Sequence, residues 1–175
     1  MKTWIRWIIA TLVLAVVFHL AAIQLTPRLV MNTAYKRILK RAGSQVNTLI
    51  HSPRVTVESR TVVRPSPDLL YSVGAYDVSE KPLRITAPVP DTYWSLSFYQ
   101  TNTDNFYVLN DRQAKTNPIE ILLVGPDMTV PDIAAAEVVV APTTRGIFLL
   151  RSLIMDEGQL DDLIKIQRMA SCKPF

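Results

Sequence analysis

The sequence predicts a mainly β protein: an antiparallel β-sandwich or barrel-like domain, preceded by an N-terminal transmembrane helix and a basic amphipathic helix, and closed by a C-terminal helix. Three observations carry this. An uncharged apolar run opens the chain, and a stretch with helical spacing follows it. Beyond residue 50 the apolar residues alternate in short runs separated by turn residues. The expected boundaries are 1–27 for the span, 28–43 for the basic helix and 44–175 for the β domain.

The span comes first. From Trp7 to Pro27 there is no Asp, Glu, Lys or Arg over 21 residues. As a helix this run is about 31 Å long, which matches a hydrocarbon core of about 30 Å. Trp4 and Trp7 lie at one end, where an aromatic belt would place them. A cleaved signal peptide is the alternative. The run exceeds the ~7–15 residues of a signal-peptide apolar region and no A-x-A site follows, so an uncleaved signal anchor is expected. His19, inside the run, reads as a neutral imidazole near the interfacial end.

The basic helix is next. In 28–42, apolar pairs at Val30/Met31, Ala34/Tyr35 and Ile38/Leu39 alternate with polar pairs that include Lys36/Arg37 and Lys40/Arg41. This spacing makes an amphipathic helix, with Gly43 as its stop. Its position after a span suggests that it lies on the bilayer, with Lys36, Arg37, Lys40 and Arg41 on lipid headgroups. The competing reading is a helix packed on the β domain with a solvated basic face.

The β domain is read from residue 50 onward. Val55–Val57, Thr61–Val63, Leu70–Val78, Leu83–Ile85, Tyr93–Thr101, Phe106–Val108, Ile119–Val124, Val138–Val140 and Ile147–Ile154 form about eight or nine strand-like runs. Nine of the 12 prolines lie between residues 65 and 142, mostly at run ends where they break no ladder. Asp156–Ala170 reads as a helix with Leu160, Leu163 and Ile164 on one face and acidic residues suited to its N-terminus.

Charge and composition narrow the function. The formal net charge of +4 belongs to the start of the chain: residues 1–41 hold seven cations and no acid, leaving 12 basic against 15 acidic residues beyond. A nucleic-acid partner is therefore not expected; the expected partner of the basic segment is the lipid bilayer. Two basic residues precede the span and five follow it closely, so charge alone leaves the side of the membrane open. The single cysteine, Cys172, and two histidines cannot build a His/Cys zinc site, and no metal or cofactor is expected. There is no P-loop, dinucleotide fingerprint or Gly-x-Ser-x-Gly elbow. Asn102–Asn105 starts like a calcium loop but has Phe106 and Gln113 where ligands belong.

One polar and aromatic cluster stands out as a candidate ligand pocket: Asp68, Tyr71, Asp77, Tyr93, Asn105 and Arg112. The competing reading is that its aromatics divide between core and surface. Catalytic residues are unassigned. If Asp68, Tyr71, Asp77 and Arg112 converge in an open pocket, a hydrolase or ligand-processing enzyme gains; if they point apart, a non-enzymatic binding module does.

Several segments in order resemble a bacterial family known as domain of unknown function 1254. They are Val63-Arg64-Pro65-Ser66-Pro67-Asp68-Leu69-Leu70-Tyr71-Ser72 with Asp77; Asp91-Thr92-Tyr93-Trp94-Ser95-Leu96 running to Thr103-Asp104-Asn105-Phe106 with Arg112; Leu123-Val124-Gly125-Pro126; and Ala141-Pro142-Thr143 with Arg151, then Ile166-Gln167. The family tends to have Asn at Ser66, Thr at Leu69 and Thr-Gly after Arg112. The resemblance covers about residues 54–170. It implies an extracytoplasmic, β-sandwich-like domain, often followed by a second β domain of the family numbered 1214, and it supplies no catalytic residues. It therefore favours a single-pass bacterial inner-membrane protein with a periplasmic C-terminal domain. A separate companion chain of the 1214 family is the protein partner expected.

Overall fold

The computed structural model describes residues 2–56, 58–59, 65–129 and 136–175. Helix α1 spans Lys2–Arg41 without a break and carries Pro27 inside it. A proline deletes one helical hydrogen bond, and here the apolar run and the amphipathic run are consecutive parts of one helix. At 1.5 Å per residue these 40 residues reach about 60 Å. The N-terminal part of α1 is long and apolar enough to cross a membrane, and none of that stretch is buried against the rest of the protein.

The β domain is two facing sheets. Strands β1 (Thr48–His51), β2 (Leu69–Asp77), β3 (Leu83–Ala87), β4 (Trp94–Gln100), β5 (Asn105–Asn110), β6 (Ile119–Val124), β7 (Glu137–Val140), β8 (Arg145–Leu153) and β9 (Ser171–Pro174) divide between them. The first sheet has the order β1-β2-β8-β4-β5 and the second β7-β6-β3-β9. All pairings are antiparallel except β6–β7, which is parallel. A short 3₁₀ turn (Glu157–Gln159) leads into helix α2, Leu160–Met169.

The sandwich and the closing helix therefore stand as expected, with corrections in detail. Val55 and Thr56 are not in a strand, while Val57 and the run Thr61–Val63 lie outside the described residues. Strands β1 and β9, each at a sheet edge, are not among the expected runs.

Alternation along the strands builds the core. Leu70, Tyr76, Trp94, Leu96, Phe98, Phe148 and Leu150 of the first sheet are buried, as are Leu83, Ile85, Ile119, Ile121 and Leu123 of the second. On β2 and β8 the register sets Gly74 opposite Phe148 and Tyr76 opposite Gly146. Each glycine makes room for the ring across from it, and Phe148 in turn meets Phe98 at 5.9 Å between ring centroids.

Candidate functional site

The outer face of the first sheet is partly covered by the second half of α1. Met31 and Ile38 are buried, Ala75 beneath them is buried, and the Tyr35 hydroxyl donates to the Tyr76 carbonyl at 3.4 Å. The apolar side of residues 28–41 is thus turned to the β domain. This corrects the expectation of a helix lying flat on lipid. It also reduces the role expected of Lys36, Arg37, Lys40 and Arg41. If α1 leaves a bilayer at Pro27, Lys36 stands about 14 Å and Arg41 about 21 Å further along the axis. The headgroup layer is only about 5–7 Å deep, and tilts of 0–40° do not bring Arg41 back into it. Arg41 instead donates to the Ser52 hydroxyl at 3.2 Å.

Beneath the helix Asp77 forms a junction. Its carboxylate accepts from the Ser79 hydroxyl at 2.6 Å, the Ser79 N–H at 3.1 Å and the Arg145 Nε at 2.7 Å. Its backbone N–H and C=O are both taken by the Asn47 amide at 2.8 Å. Burial works to raise the Asp77 pKa, but the Ser79 and Arg145 hydrogen bonds and the Arg145 charge outweigh it and hold the group below the usual value. Burial, then the Asp77 charge, push the Tyr35 phenol up against the pull of Arg145.

The six residues of the candidate pocket do not meet. Asp68 precedes the nine-residue strand β2 and Asp77 ends it, so they lie about 30 Å apart at ~3.3 Å per residue. Tyr93 and Arg112 belong to Asp68's end of the sheet: the Tyr93 carbonyl accepts from Leu153 at 2.9 Å, the Asp68 carbonyl from Ile154 at 2.8 Å, and Asp111 bonds the N–H of Trp94. Asn105 belongs to Asp77's end, opposite Tyr99, where its amide holds the Phe98 carbonyl at 3.1 Å. Tyr71, the third residue of β2, is on Asp68's side of the sheet, and its hydroxyl accepts from the Ser66 N–H at 2.9 Å. The hydrolase reading loses the convergence it required.

Two of the concavities among the described residues are of ligand size. At Tyr93's end an open groove of about 560 Å³ is bordered by Asp91, Thr92, Tyr93, Asp111, Lys115 and Asn117. Much of its polarity is spent on the fold. Thr92 donates to the Leu153 carbonyl at 3.0 Å, and Asn117 bonds both the N–H and the C=O of Val89. At the opposite end a crevice of about 300 Å³ lies between α1 and the start of β8, with Arg28, Asn32, Tyr35, Thr101 and Arg145 on its walls. Sequence reading missed this second site because its residues are dispersed over more than a hundred positions. Among the described residues no group of three His, Cys, Asp or Glu could hold a metal ion.

The remaining reactive side chains are also held in the structure. Burial, and less strongly the Arg168 charge, lower the pKa of His51 against a hydrogen bond at the Ala170 backbone; its Nδ1 lies 2.9 Å from the Ser72 hydroxyl. Burial pushes the Cys172 thiol up to about 12, with its Sγ 3.1 Å from the Asn47 carbonyl.

Between the covered half of the outer face and its β5 edge, exposure rises toward β5: Ser95 and Ser97 are buried, Val73 and Leu149 half-buried and Val108 exposed. Cross-strand rows read Tyr71–Arg151–Ser95–Asn110 and Val73–Leu149–Ser97–Val108. Val108 and Tyr93 are 45% and 44% exposed, while the Ser97 hydroxyl between Leu149 and Val108 is buried and without a hydrogen-bond partner.

Fold and site together define a two-sheet β-sandwich carried on a long N-terminal helix. The chain belongs to the family described as a protein of unknown function, DUF1254, which it matches over residues 46–174. Two solved structures share the architecture. The VPA0106 protein of Vibrio parahaemolyticus is 16% identical with a TM-score of 0.67, over 90% of this chain and 38% of that one. An uncharacterised protein from Burkholderia cenocepacia is 14% identical with a TM-score of 0.55, over 81% of this chain and 37% of that one. The chain therefore spans about two fifths of the length of each. No curated protein matches it.

Proposed function

We infer that the protein is a non-enzymatic binding module, tethered by α1 as a signal anchor in the bacterial inner membrane and standing in the periplasm. The β5 side of its outer sheet face receives a partner protein. The observation that carries this is the exposure there of Val108 and Tyr93, 45% and 44% exposed, in line with half-buried Leu149. Exposed apolar and tyrosine side chains on a sheet face suit protein contact. The partner proposed is a separate chain with a β domain of the 1214 family. In both solved neighbours the shared architecture is joined to further protein that makes up most of the chain. Lys36, Arg37, Lys40 and Arg41 add a long-range attraction to an anionic leaflet. They lie beyond the headgroups, so each contributes less than the ~1 kcal/mol of a residue at the surface, and the effect fades at a Debye length of about 8 Å.

Two measurements check this reading. An alkaline phosphatase fusion after Phe175 is expected to be active and a cytoplasmic reporter at the same point dark; the reverse pattern overturns the periplasmic placement. A photo-crosslinking amino acid at Val108 in the full chain, in native membranes, is expected to yield a discrete product containing a 1214-type domain. The same amino acid at Met169, which is 69% exposed on α2, is the control. Equal products at both positions, or none at Val108, overturn the docking face.

A further inference from the structure

The crevice between α1 and the start of β8 sits where the protein would leave the bilayer. Arg28 follows Pro27 directly and lies at the end of the uncharged run. Helical side chains lean toward the helix N-terminus, and Arg28 Nη1 accordingly donates to the Gln24 carbonyl at 2.6 Å. Its guanidinium therefore lies at the level of the last apolar turn. Across the crevice Arg145 is bound by Asp77 through Nε at 2.7 Å, which leaves the terminal nitrogens of its fork for another acceptor. The Asn32 amide and Thr101 hydroxyl stand on the same walls. Leu29, beside Arg28, is 64% exposed and extends the apolar surface of the span to the rim.

We propose that this crevice binds the phosphate of an anionic phospholipid between Arg28 and Arg145, with Asn32 and Thr101 as hydrogen-bonding partners and the first acyl segment along Leu29. The chemistry is that of a phosphate monoanion or diester meeting two guanidinium forks, the arrangement in which Arg outperforms Lys. The depth argument singles out this pair. Arg28 lies at the headgroup level of an upright α1, whereas Lys40 and Arg41 stand well above it. The Asp77 carboxylate offsets one charge, so the site holds a single phosphate rather than a highly charged headgroup. The proposal rests on α1 spanning the bilayer but not on which side the domain occupies, nor on any protein partner.

The test uses the full chain in neutral detergent micelles, titrated with phosphatidylglycerol, phosphatidylcholine or inorganic phosphate and read by native mass spectrometry. Phosphatidylglycerol is expected to remain bound, with phosphatidylcholine and inorganic phosphate about tenfold weaker, because the first lacks the net charge and the second the acyl contact. Arg28→Gln removes one charge-assisted contact and is expected to weaken phosphatidylglycerol about tenfold or more. Lys36→Gln is expected to leave it unchanged. Arg145→Gln is expected to match Arg28→Gln; if it fails to fold, Arg28→Gln alone decides, since its partner Gln24 lies one turn away on an exposed helix face. Equal retention of the two lipids, or undiminished binding in Arg28→Gln, overturns the site. Inorganic phosphate binding as tightly as the lipid overturns the membrane source and leaves a soluble phosphate as the ligand.

Discussion

Gly146→Ala is expected to destabilise the β domain by about 3 kcal/mol or more, at the upper end of overpacking effects. A Cβ at this position collides with the Tyr99 carbonyl and with the ring and hydroxyl of Tyr76. Neither obstacle yields cheaply. The carbonyl belongs to β4, which is paired along its length to β8. The ring is fully buried between the sheets, and its hydroxyl reaches past Gly146 to donate to that same Tyr99 carbonyl at 3.4 Å. The absent side chain thus lets a tyrosine from β2 span the central strand β8 and reach β4. Burial also pushes the phenol to about 12.

The measurement is urea unfolding of the full chain in micelles, followed by tryptophan fluorescence. Tyr76→Phe keeps the ring and removes one hydrogen bond, so about 1 kcal/mol is expected for it. Gly158→Ala is the contrasting case. Its added Cβ meets nothing closer than the Asp156 carboxylate at 3.5 Å, and a change within about 0.5 kcal/mol is expected. If Gly146→Ala behaves like Gly158→Ala, the close packing of Tyr76 on β8 is not a source of stability.

The strands that carry this packing were legible because alternation reports which face is buried. Leu83-Arg84-Ile85 shows it directly, with buried and outward positions falling as the period requires, whereas on β4 the small Ser95 and Ser97 between the core residues are buried as well. Strands β1 and β9 were not legible, for a physical reason. Each has four residues, and its identity comes from the neighbour it pairs with, β2 for Thr48–His51 and β3 for Ser171–Pro174. The parallel register of β6 and β7 is likewise a property of the path between them. The apolar run and the basic run, read separately from their charge patterns, are consecutive parts of α1, which carries Pro27 inside it.

The candidate pocket failed for a related reason. Asp68, Tyr71 and Asp77 are close in sequence, but an extended strand separates its two ends by the full width of the domain. Several residues that carry the family resemblance prove to be structural. Asn105 ties the β4–β5 bulge, Thr92 closes on β8, and Gln167 docks α2 on the Tyr71 carbonyl at 3.0 Å. A Cβ at Gly125 would lie 2.8 Å from the Val78 carbonyl. These segments specify a fold, and the fold alone does not specify an activity.

Asn47→Ala is expected to cost about 2–4 kcal/mol, and the cost divides into two separable parts. The Asn47 amide imitates a strand neighbour: Oδ1 accepts from the Asp77 N–H and Nδ2 donates to the Asp77 carbonyl, both at 2.8 Å. Its own N–H donates to the Ala75 carbonyl at 2.8 Å. One short polar residue thereby fastens the turn after α1 to the end of β2 where Tyr35, Asp77 and Arg145 meet. Leaving the two Asp77 groups unpartnered costs about 1–3 kcal/mol each when buried and less where water enters. The second part is backbone strain. Asn47 sits at φ 57°, a left-handed conformation that Asn tolerates and that costs Ala about 1 kcal/mol. Asn47→Gly removes the amide without the strain, so it is expected to be about 1 kcal/mol more stable than Asn47→Ala and still well below the wild type. Asn47→Asp keeps the acceptor but sets a carboxylate against the Asp77 carbonyl, and is expected to resemble Asn47→Gly. The readouts are urea unfolding in micelles and the rate of proteolysis in the turn 42–46, which both truncations should raise by loosening the helix from the sheet. Wild-type stability and cleavage in Asn47→Ala would mean that Met31, Tyr35 and Ile38 alone fix the domain to its helix. The amide would then be only a turn residue.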